Sequence, residues 1–283
     1  MHFKTIAVHG ASGSQGAPVA ARLEAGGHSV RRLSRVTGVD LLDRQSLDAA
    51  YAEADTVVLQ LPLVYDERAL VMADNAANAA AAAGVSHLVL NTSAPLPPQP
   101  IGVPFLDARH RAAGAAVPMV TVLQPTFYLE NLTSPWQAPR TMEGLISSPL
   151  PAEVPMPWVA TDDVAVAIER AINQAVTGSF VLPGQAVTGH QIAKAIAAVV
   201  GHAVRWETIT PTEYGDLLRP HLGDHAADGI AGVYTAMAAA PAQPAPDPAP
   251  AREALGWAPR DIDDWAAHVP AFTRASGMVE SGR

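Results

Sequence analysis

The chain has 283 residues, 49% of them hydrophobic and 16% charged, with 18 Lys and Arg against 27 Asp and Glu for a formal net charge of −9. This supplies enough apolar material for a full α/β core, and the acidic balance argues against nucleic acid as a partner, because a phosphate backbone demands a basic surface. With no cysteine, disulfides, thiolate nucleophiles and Cys-ligated zinc are excluded, which suits a reducing compartment.

Residues 5–8 form an apolar strand pattern that runs through His9 into Gly10-Ala11-Ser12-Gly13-Ser14-Gln15-Gly16. A strand entering three glycines spaced three apart is the pattern of a dinucleotide-binding turn. Gly10 permits the tight turn, Gly13 removes a Cβ where a pyrophosphate approaches, and Gly16 lets the next helix pack close. The helix predicted over 15–25 points its free N–H groups at the phosphates, so Ser12, Ser14 and Gln15 join the glycines as cofactor-binding candidates. His9 is expected to pack inside the strand end. The second strand pattern, 29–33, ends in Val30-Arg31-Arg32-Leu33-Ser34-Arg35 with no acid at its tip. An acid there would accept the ribose 2′-OH of NAD, whereas Arg35 suits the 2′-phosphate of NADP. NADP(H) is therefore favoured, with NAD(H) as the alternative. Asp40 and Leu41 follow as candidates for meeting the adenine.

Helix patterns then alternate with strands: a helix at 46–52, a strand at 56–61, a helix at 67–83 closed by Gly84, and a strand at 87–90. A helix at 105–115 and a strand at 119–123 complete the series. This alternation predicts a doubly wound parallel α/β sheet. Gln60, Leu61 and Pro62 end one strand on the carboxyl edge, where ligands bind in open sheets. Asn91-Thr92-Ser93 ends the next, placing the hydroxyls of Thr92 and Ser93 on that edge. Asp107 and His110 stand three apart on one helix, spaced either to pair towards one opening, with the histidine as a proton donor, or to form an exposed polar face. Tyr128 and Asn131 follow the strand at 119–123 as hydrogen-bond donors for a substrate.

Beyond that point the chain becomes proline-rich. Residues 133–157 read as a loop or lid, with Trp136, Met142, Met156 and Trp158 either lining an apolar pocket or forming ordinary core. Thr161-Asp162-Asp163 reads as the N-cap of a helix reaching residue 173. A strand at 179–182, a helix at 188–200, a strand at 204–209 and a helix opened by Pro211 come next. The Ala/Pro run at 238–250 reads as a mobile loop, and a last helix is predicted over 263–274. These patterns give a dinucleotide-binding core over 1–132, rejoined by 160–175. The remainder, 133–283, is mostly a substrate lobe with a lid. No histidine spacing suggests a metal site, and no apolar run approaches the roughly 20 residues of a membrane span. The chain enters a strand pattern at once, with no signal-peptide stretch ahead of it, so a cytoplasmic protein is expected.

The stretch from Gly10 to Gly16, the arginine after the second strand and Val39-Asp40-Leu41-Leu42-Asp43 resemble the NmrA-like atypical short-chain dehydrogenases/reductases. So do the segments Leu123-Gln124-Pro125-Thr126-Phe127-Tyr128-Leu129-Glu130-Asn131-Leu132, Asp162-Asp163-Val164-Ala165, Thr188-Gly189-His190-Gln191-Ile192-Ala193 and Leu255-Gly256-Trp257-Ala258-Pro259. The resemblance implies a Rossmann-type domain with a smaller C-terminal substrate lobe. It also implies NAD(P)H-dependent reduction of quinones, enones or isoflavone-type compounds, or dinucleotide binding in a redox-sensing regulator. Short-chain reductases usually protonate the substrate with a tyrosine that has a lysine four residues on. The only lysines here are Lys4 and Lys194, and none of the five tyrosines has lysine at that spacing. The lysine found in reductases of this branch falls near Asp107, where none is present.

The expected activity is thus an NAD(P)H-dependent oxidoreductase acting on a small apolar carbonyl, quinone or polycyclic aromatic substrate. The cofactor supplies the hydride, and the proton comes from water or from Ser93, His110 or Tyr128. The alternatives are a non-enzymatic redox sensor and an aromatic tailoring enzyme of oxygenase type on the same scaffold. A homodimer is compatible with either.

Overall fold

The computed structural model describes residues 3–240 and 245–273. In chain order the regular elements are β1 (Thr5–His9), α1 (Gly16–Ala25), β2 (Ser29–Leu33), α2 (Arg44–Tyr51), β3 (Thr56–Gln60), α3 (Arg68–Ala82), β4 (His87–Asn91), α4 (Pro104–Ala113) and β5 (Met119–Pro125). Then come β6 (Phe127–Tyr128), α5 (Ala138–Met142), β7 (Leu145–Ser148), β8 (Met156–Val159), α6 (Thr161–Asn173), β9 (Gly178–Leu182), β10 (Gln185–Val187) and α7 (Gly189–Val200). The last are β11 (Arg205–Thr208), α8 (Pro211–Leu222), α9 (Asp224–Ala239), α10 (Ala249–Leu255) and α11 (Ile262–His268).

The chain divides into two compact units. The first comprises Met1–Thr126, Thr161–Leu182 and Asp247–Ala258. Its six strands pair in the order β2-β1-β3-β4-β5-β9, all parallel. Strands buried on both faces must be apolar throughout, and Ile6, Ala7, Val8, Val57, Leu59, Leu88, Val89 and Leu90 are at most 0% exposed. Helix α1 packs against α6, while α2, α3 and α4 pack in succession as another layer. Alanines on α3 (Ala73, Ala76, Ala80) are fully buried, so the helix backbone sits close to its neighbours. The chain passes from β1 to β2 on one side and returns to β3 on the other. The carboxyl ends of β1 and β3 therefore flank a switch point, where open α/β sheets hold ligands. Trp257, 1% exposed, donates from Nε1 to the Asp163 carbonyl on α6 at 2.8 Å, which explains why the Leu255-Gly256-Trp257 segment returns to this unit.

The second unit comprises Phe127–Ala160, Pro183–Pro246 and Pro259–Arg283. It holds a three-stranded sheet, β10-β8-β6, and a pair, β11-β7. Leu129, Leu132, Ile146, Trp158, Ile192, Ile196 and Trp265 share its core. The first unit thus ends at Thr126 rather than at residue 132, because Leu129 and Leu132 pack into this second core.

Several expectations need correction. The proline-rich stretch 133–157 is no structureless loop: it carries α5, β7 and the start of β8. Pro139 sits in the first turn of α5, where no N–H is needed. The Ala/Pro run is shorter than expected, since α9 extends to Ala239 and α10 begins at Ala249; residues 241–244 fall outside the described residues. The final helix runs Ile262–His268, breaks at Val269 and is helical again over 270–273, with Arg274 outside the described residues.

Candidate functional site

The loop after β1 calls for glycine by a left-handed backbone at Gly10 and a close approach at Gly16. Gly10 has φ +66°, a region that L side chains rarely occupy. Its carbonyl accepts the Gly13 N–H at 2.8 Å. A Cβ on Gly16 would lie 2.3 Å from that same carbonyl oxygen and 2.9 Å from the Ala11 nitrogen. The close partner of Gly16 is therefore the strand-end backbone rather than the sheet face. A Cβ on Gly13 would meet only the Gly10 oxygen, at 3.3 Å. Ser12, Gly13 and Ser14 are exposed. Gln15 is the N-cap of α1 and makes no side-chain cap hydrogen bond; the Ala17 N–H is spent on the Gly13 carbonyl at 3.0 Å and Pro18 has none, so the Gln15 and Gly16 N–H groups are the ones at the head of the helix that suit an anion. This cradle fits a dinucleotide pyrophosphate.

Instead of capping its helix, Gln15 reaches across the sheet edge. Its Oε1 accepts from Ser93 Oγ at 3.0 Å and from Asn91 Nδ2 at 3.3 Å. Asn91 is 1% exposed, and its Oδ1 accepts the Ser93 N–H at 3.0 Å. Ser93 has φ +60°, an uncommon conformation for a residue other than glycine. The ends of β1 and β4 are thus joined through Gln15, Asn91 and Ser93. Thr92, expected to meet the cofactor, is 0% exposed and donates its hydroxyl to the Ala94 carbonyl at 2.6 Å. It shapes the turn and presents no hydroxyl at the edge. Gln60 is half-buried, Leu61 buried and Pro62 exposed where β3 ends.

Beneath this edge lies a side chain that sequence reading passed over. Arg109 on α4 is 0% exposed, and its Nε donates to the Thr92 carbonyl at 2.6 Å. It also donates to the carbonyls of Leu61, at 3.4 Å, and Phe105. The guanidinium lies 3.6 Å from the centroid of the Phe105 ring. Phe105 in turn stacks on Tyr65 at 4.7 Å. Burial pushes the Tyr65 phenol up to about 12, against the pull of the nearby Arg109 charge. Phe105 and Arg109 are four apart on α4, the spacing at which a tyrosine and lysine were sought, but neither is a proton donor. Nothing in the sequence flags an arginine as buried, because arginine is ordinarily a surface residue.

Asp107 and His110 do not pair as expected. The Asp107 carboxylate accepts the N–H groups of Ile101 and Gly102, both at 2.9 Å. His110 Nε2 is buried without a partner among the described residues, beside a cavity of about 330 Å³ lined by Leu96, Pro97, Val122 and Gln124. The three arginines of the second strand also divide. Arg32 pairs with Glu24 at 2.8 Å, and Arg31 donates to the carbonyls of Ala50 and Ala52. Arg35 is exposed in the short turn Arg35–Thr37, which Ser34 and Thr37 cap reciprocally. Asp40 closes a local turn by accepting the Leu42 N–H at 2.9 Å, and the Leu41 carbonyl accepts from Asn75. His9 packs inward, 4% exposed and 2.5 Å from the Tyr51 hydroxyl; burial pushes it down to about 4.

Tyr128 and Asn131 belong to the second unit. Tyr128 is 6% exposed on β6, opposite Val159 of β8, and Asn131 is half-buried. Trp158 packs in that unit's core with Met142 and Met156, whereas Trp136 joins a cluster around Tyr214 and Leu218. The lobe-core reading of these four therefore prevails. Among the described residues there is no group of three or more metal-ligating side chains and no helix long and apolar enough to cross a membrane.

The sequence profile described as the NmrA-like family matches residues 2–242. A curated NAD(P)H azoreductase from Xenophilus azovorans is 33% identical over 182 residues, 60% of this chain and 60% of the relative. The match thus spans about 60% of that relative's length. An NADPH-dependent quinone oxidoreductase from Escherichia coli, solved with NADPH, superposes with a TM-score of 0.65 at 22% identity, over 93% of this chain and 99% of that one. NmrA, a negative transcriptional regulator solved with NADP, gives 0.70 at 19% identity, over 98% of both chains; it has also been solved with NAD. At these identities the two structures establish the fold alone.

Proposed function

This chain belongs to the NmrA-like family, and from that premise we propose that it is an NAD(P)H-dependent oxidoreductase reducing a planar apolar acceptor such as a quinone, carbonyl or azo compound. The observation that carries the reading is the array at the edge of the sheet. An anion-binding glycine turn stands hydrogen-bonded through Gln15 to Ser93, a hydroxyl that ends β4. The azoreductase and the quinone oxidoreductase are named for acceptors of this kind.

Each residue has a part in the proposal. The turn from Gly10 to Gly16, with the Gln15 and Gly16 N–H groups at the head of α1, receives the pyrophosphate. Arg35 meets a 2′-phosphate, since Arg31 and Arg32 are committed elsewhere, which favours NADP(H) over NAD(H). A bound nicotinamide dinucleotide supplies the hydride. Gln15 and Asn91 hold Ser93, whose one hydroxyl proton rests on Gln15 Oε1 and turns from there to the acceptor oxygen or nitrogen as charge develops on it. The proton comes from water. Asp107 is taken out of the acid–base assignment by its bonds to the loop at 101–102, and His110, without its partner, has no assigned role.

The test is NADPH oxidation across a panel of quinones, azo dyes and triphenylmethane dyes. Acceptor-dependent oxidation supports the reading. NADPH binding with no oxidation by any acceptor refutes it in favour of a dinucleotide-binding regulator; NmrA is named as a negative transcriptional regulator.

A further inference from the structure

A fully buried guanidinium is costly to desolvate and persists where its hydrogen bonds are satisfied. Arg109 spends its donors on the main chain at three places: Thr92, the residue after β4; Leu61, the residue after β3; and Phe105 on its own helix. The planar fork of arginine suits this task, because one rigid group reaches carbonyls on two strand ends at once. The carbonyl it grips at 2.6 Å is the one directly preceding Ser93. Ser93 is a non-glycine residue at φ +60°, and such a conformation persists only where its surroundings over-determine it. Around it, the Thr92 hydroxyl is tied to Ala94 and the Ser93 N–H to Asn91. The Ser93 hydroxyl meets Gln15. The Thr92–Ser93 peptide is therefore held from below by Arg109 and from above by Asn91 and Gln15.

We propose that Arg109 is a positioning residue: it locks the ends of β3 and β4 so that Ser93 is presented against Gln15 beside the glycine turn. Its effect on turnover passes through Ser93 and rests on the oxidoreductase reading above. Methionine at 109 keeps much of the side-chain volume and drops every donor. Lysine keeps the charge but cannot span both strand ends.

The experiment compares wild type, R109M, R109K, S93A and the double variant S93A/R109M for kcat and acceptor KM with the best acceptor of the wild type. NADPH affinity is measured by fluorescence titration, and the thermal midpoint alongside. R109M is expected to lose roughly tenfold in kcat, with acceptor KM and NADPH affinity within about threefold of wild type, because placement rather than binding is disturbed. Adding S93A to R109M is expected to lower kcat by less than about twofold more, since both act through one group. Losses that multiply, or a fall in NADPH affinity in step with kcat, overturn the proposal. If R109M does not fold, R109K carries the same criteria. If the wild type reduces no acceptor, the oxidoreductase reading fails by itself. The positioning claim is then judged on a crystal structure of R109K. Ser93 Oγ is expected to leave hydrogen-bond reach of Gln15, beyond about 3.5 Å; retention of that contact refutes the claim.

Discussion

Gly16→Ala places a methyl group where the backbone has no room. The nearest atoms are the Gly10 oxygen at 2.3 Å, the Gly10 carbon at 2.5 Å and the Ala11 nitrogen at 2.9 Å. None is the end of a flexible side chain, so relief requires α1 to move off the strand end by about 1 Å. An alanine in a helix ordinarily gains about 1 kcal/mol over glycine. Overpacking of this kind costs about 1–3 kcal/mol or more, so a net loss of about 1–2 kcal/mol is expected. For a chain of this size that lowers the thermal midpoint by roughly 2–8 °C. The shift also carries the helix N-terminus away from the pyrophosphate, and NADPH affinity is expected to fall at least tenfold, about 1.4 kcal/mol. Gly13→Ala is the control. Its methyl group would meet a single atom at 3.3 Å, so stability should change little while affinity falls, because on the proposed reading the added carbon would face the phosphates. Differential scanning fluorimetry and fluorescence titration measure both quantities. A Gly16→Ala protein as stable and as tight-binding as wild type would refute the steric argument. A Gly13→Ala protein with unchanged affinity would show that the pyrophosphate does not approach there.

Two further outcomes follow from named groups. On the proposed placement of a 2′-phosphate, Arg35→Gln would remove a guanidinium–phosphate contact of about 1.5–3 kcal/mol, so NADPH affinity should fall roughly tenfold to hundredfold with NADH affinity unchanged; equal losses for both would rule out a 2′-phosphate contact. His9, with its native pKa depressed by burial to about 4 from the usual 6.5, contributes stability that is complete above pH 6.5. The unfolded chain takes up a proton below that value while the native state refuses it, so stability is lost as the pH falls from 6.5 to 4, by up to about 3 kcal/mol, and levels off below. Urea midpoints of wild type and His9→Gln across this window check it, and identical pH slopes would dismiss His9 as a contributor.

Much of the first unit was legible because its determinants are local. Strands buried on both faces must be continuous apolar runs, so 5–8, 56–61 and 87–90 announce themselves. The glycine turn needs only its own residues to shape it. The second unit was less legible: β7 and β8 lie among prolines, and α9 is a chain of small residues with a single buried position, Ala227, which leaves little periodicity to detect. The Asp107–His110 expectation failed for a different reason. Helical spacing places two side chains on one face, but it says nothing about a neighbouring loop whose N–H groups claim the carboxylate first.

By itself, the sequence determined the parallel α/β class, the position of the glycine turn and the absence of a tyrosine–lysine pair, all consequences of residue type and short-range order. Only the tertiary structure decided that Gln15 meets Ser93, 78 residues away, that Thr92 is consumed by its own turn, and that Arg109 lies buried under both strand ends. Those contacts depend on which strands become neighbours and how closely their ends approach. That is set by the packing of the whole sheet, which no local pattern encodes.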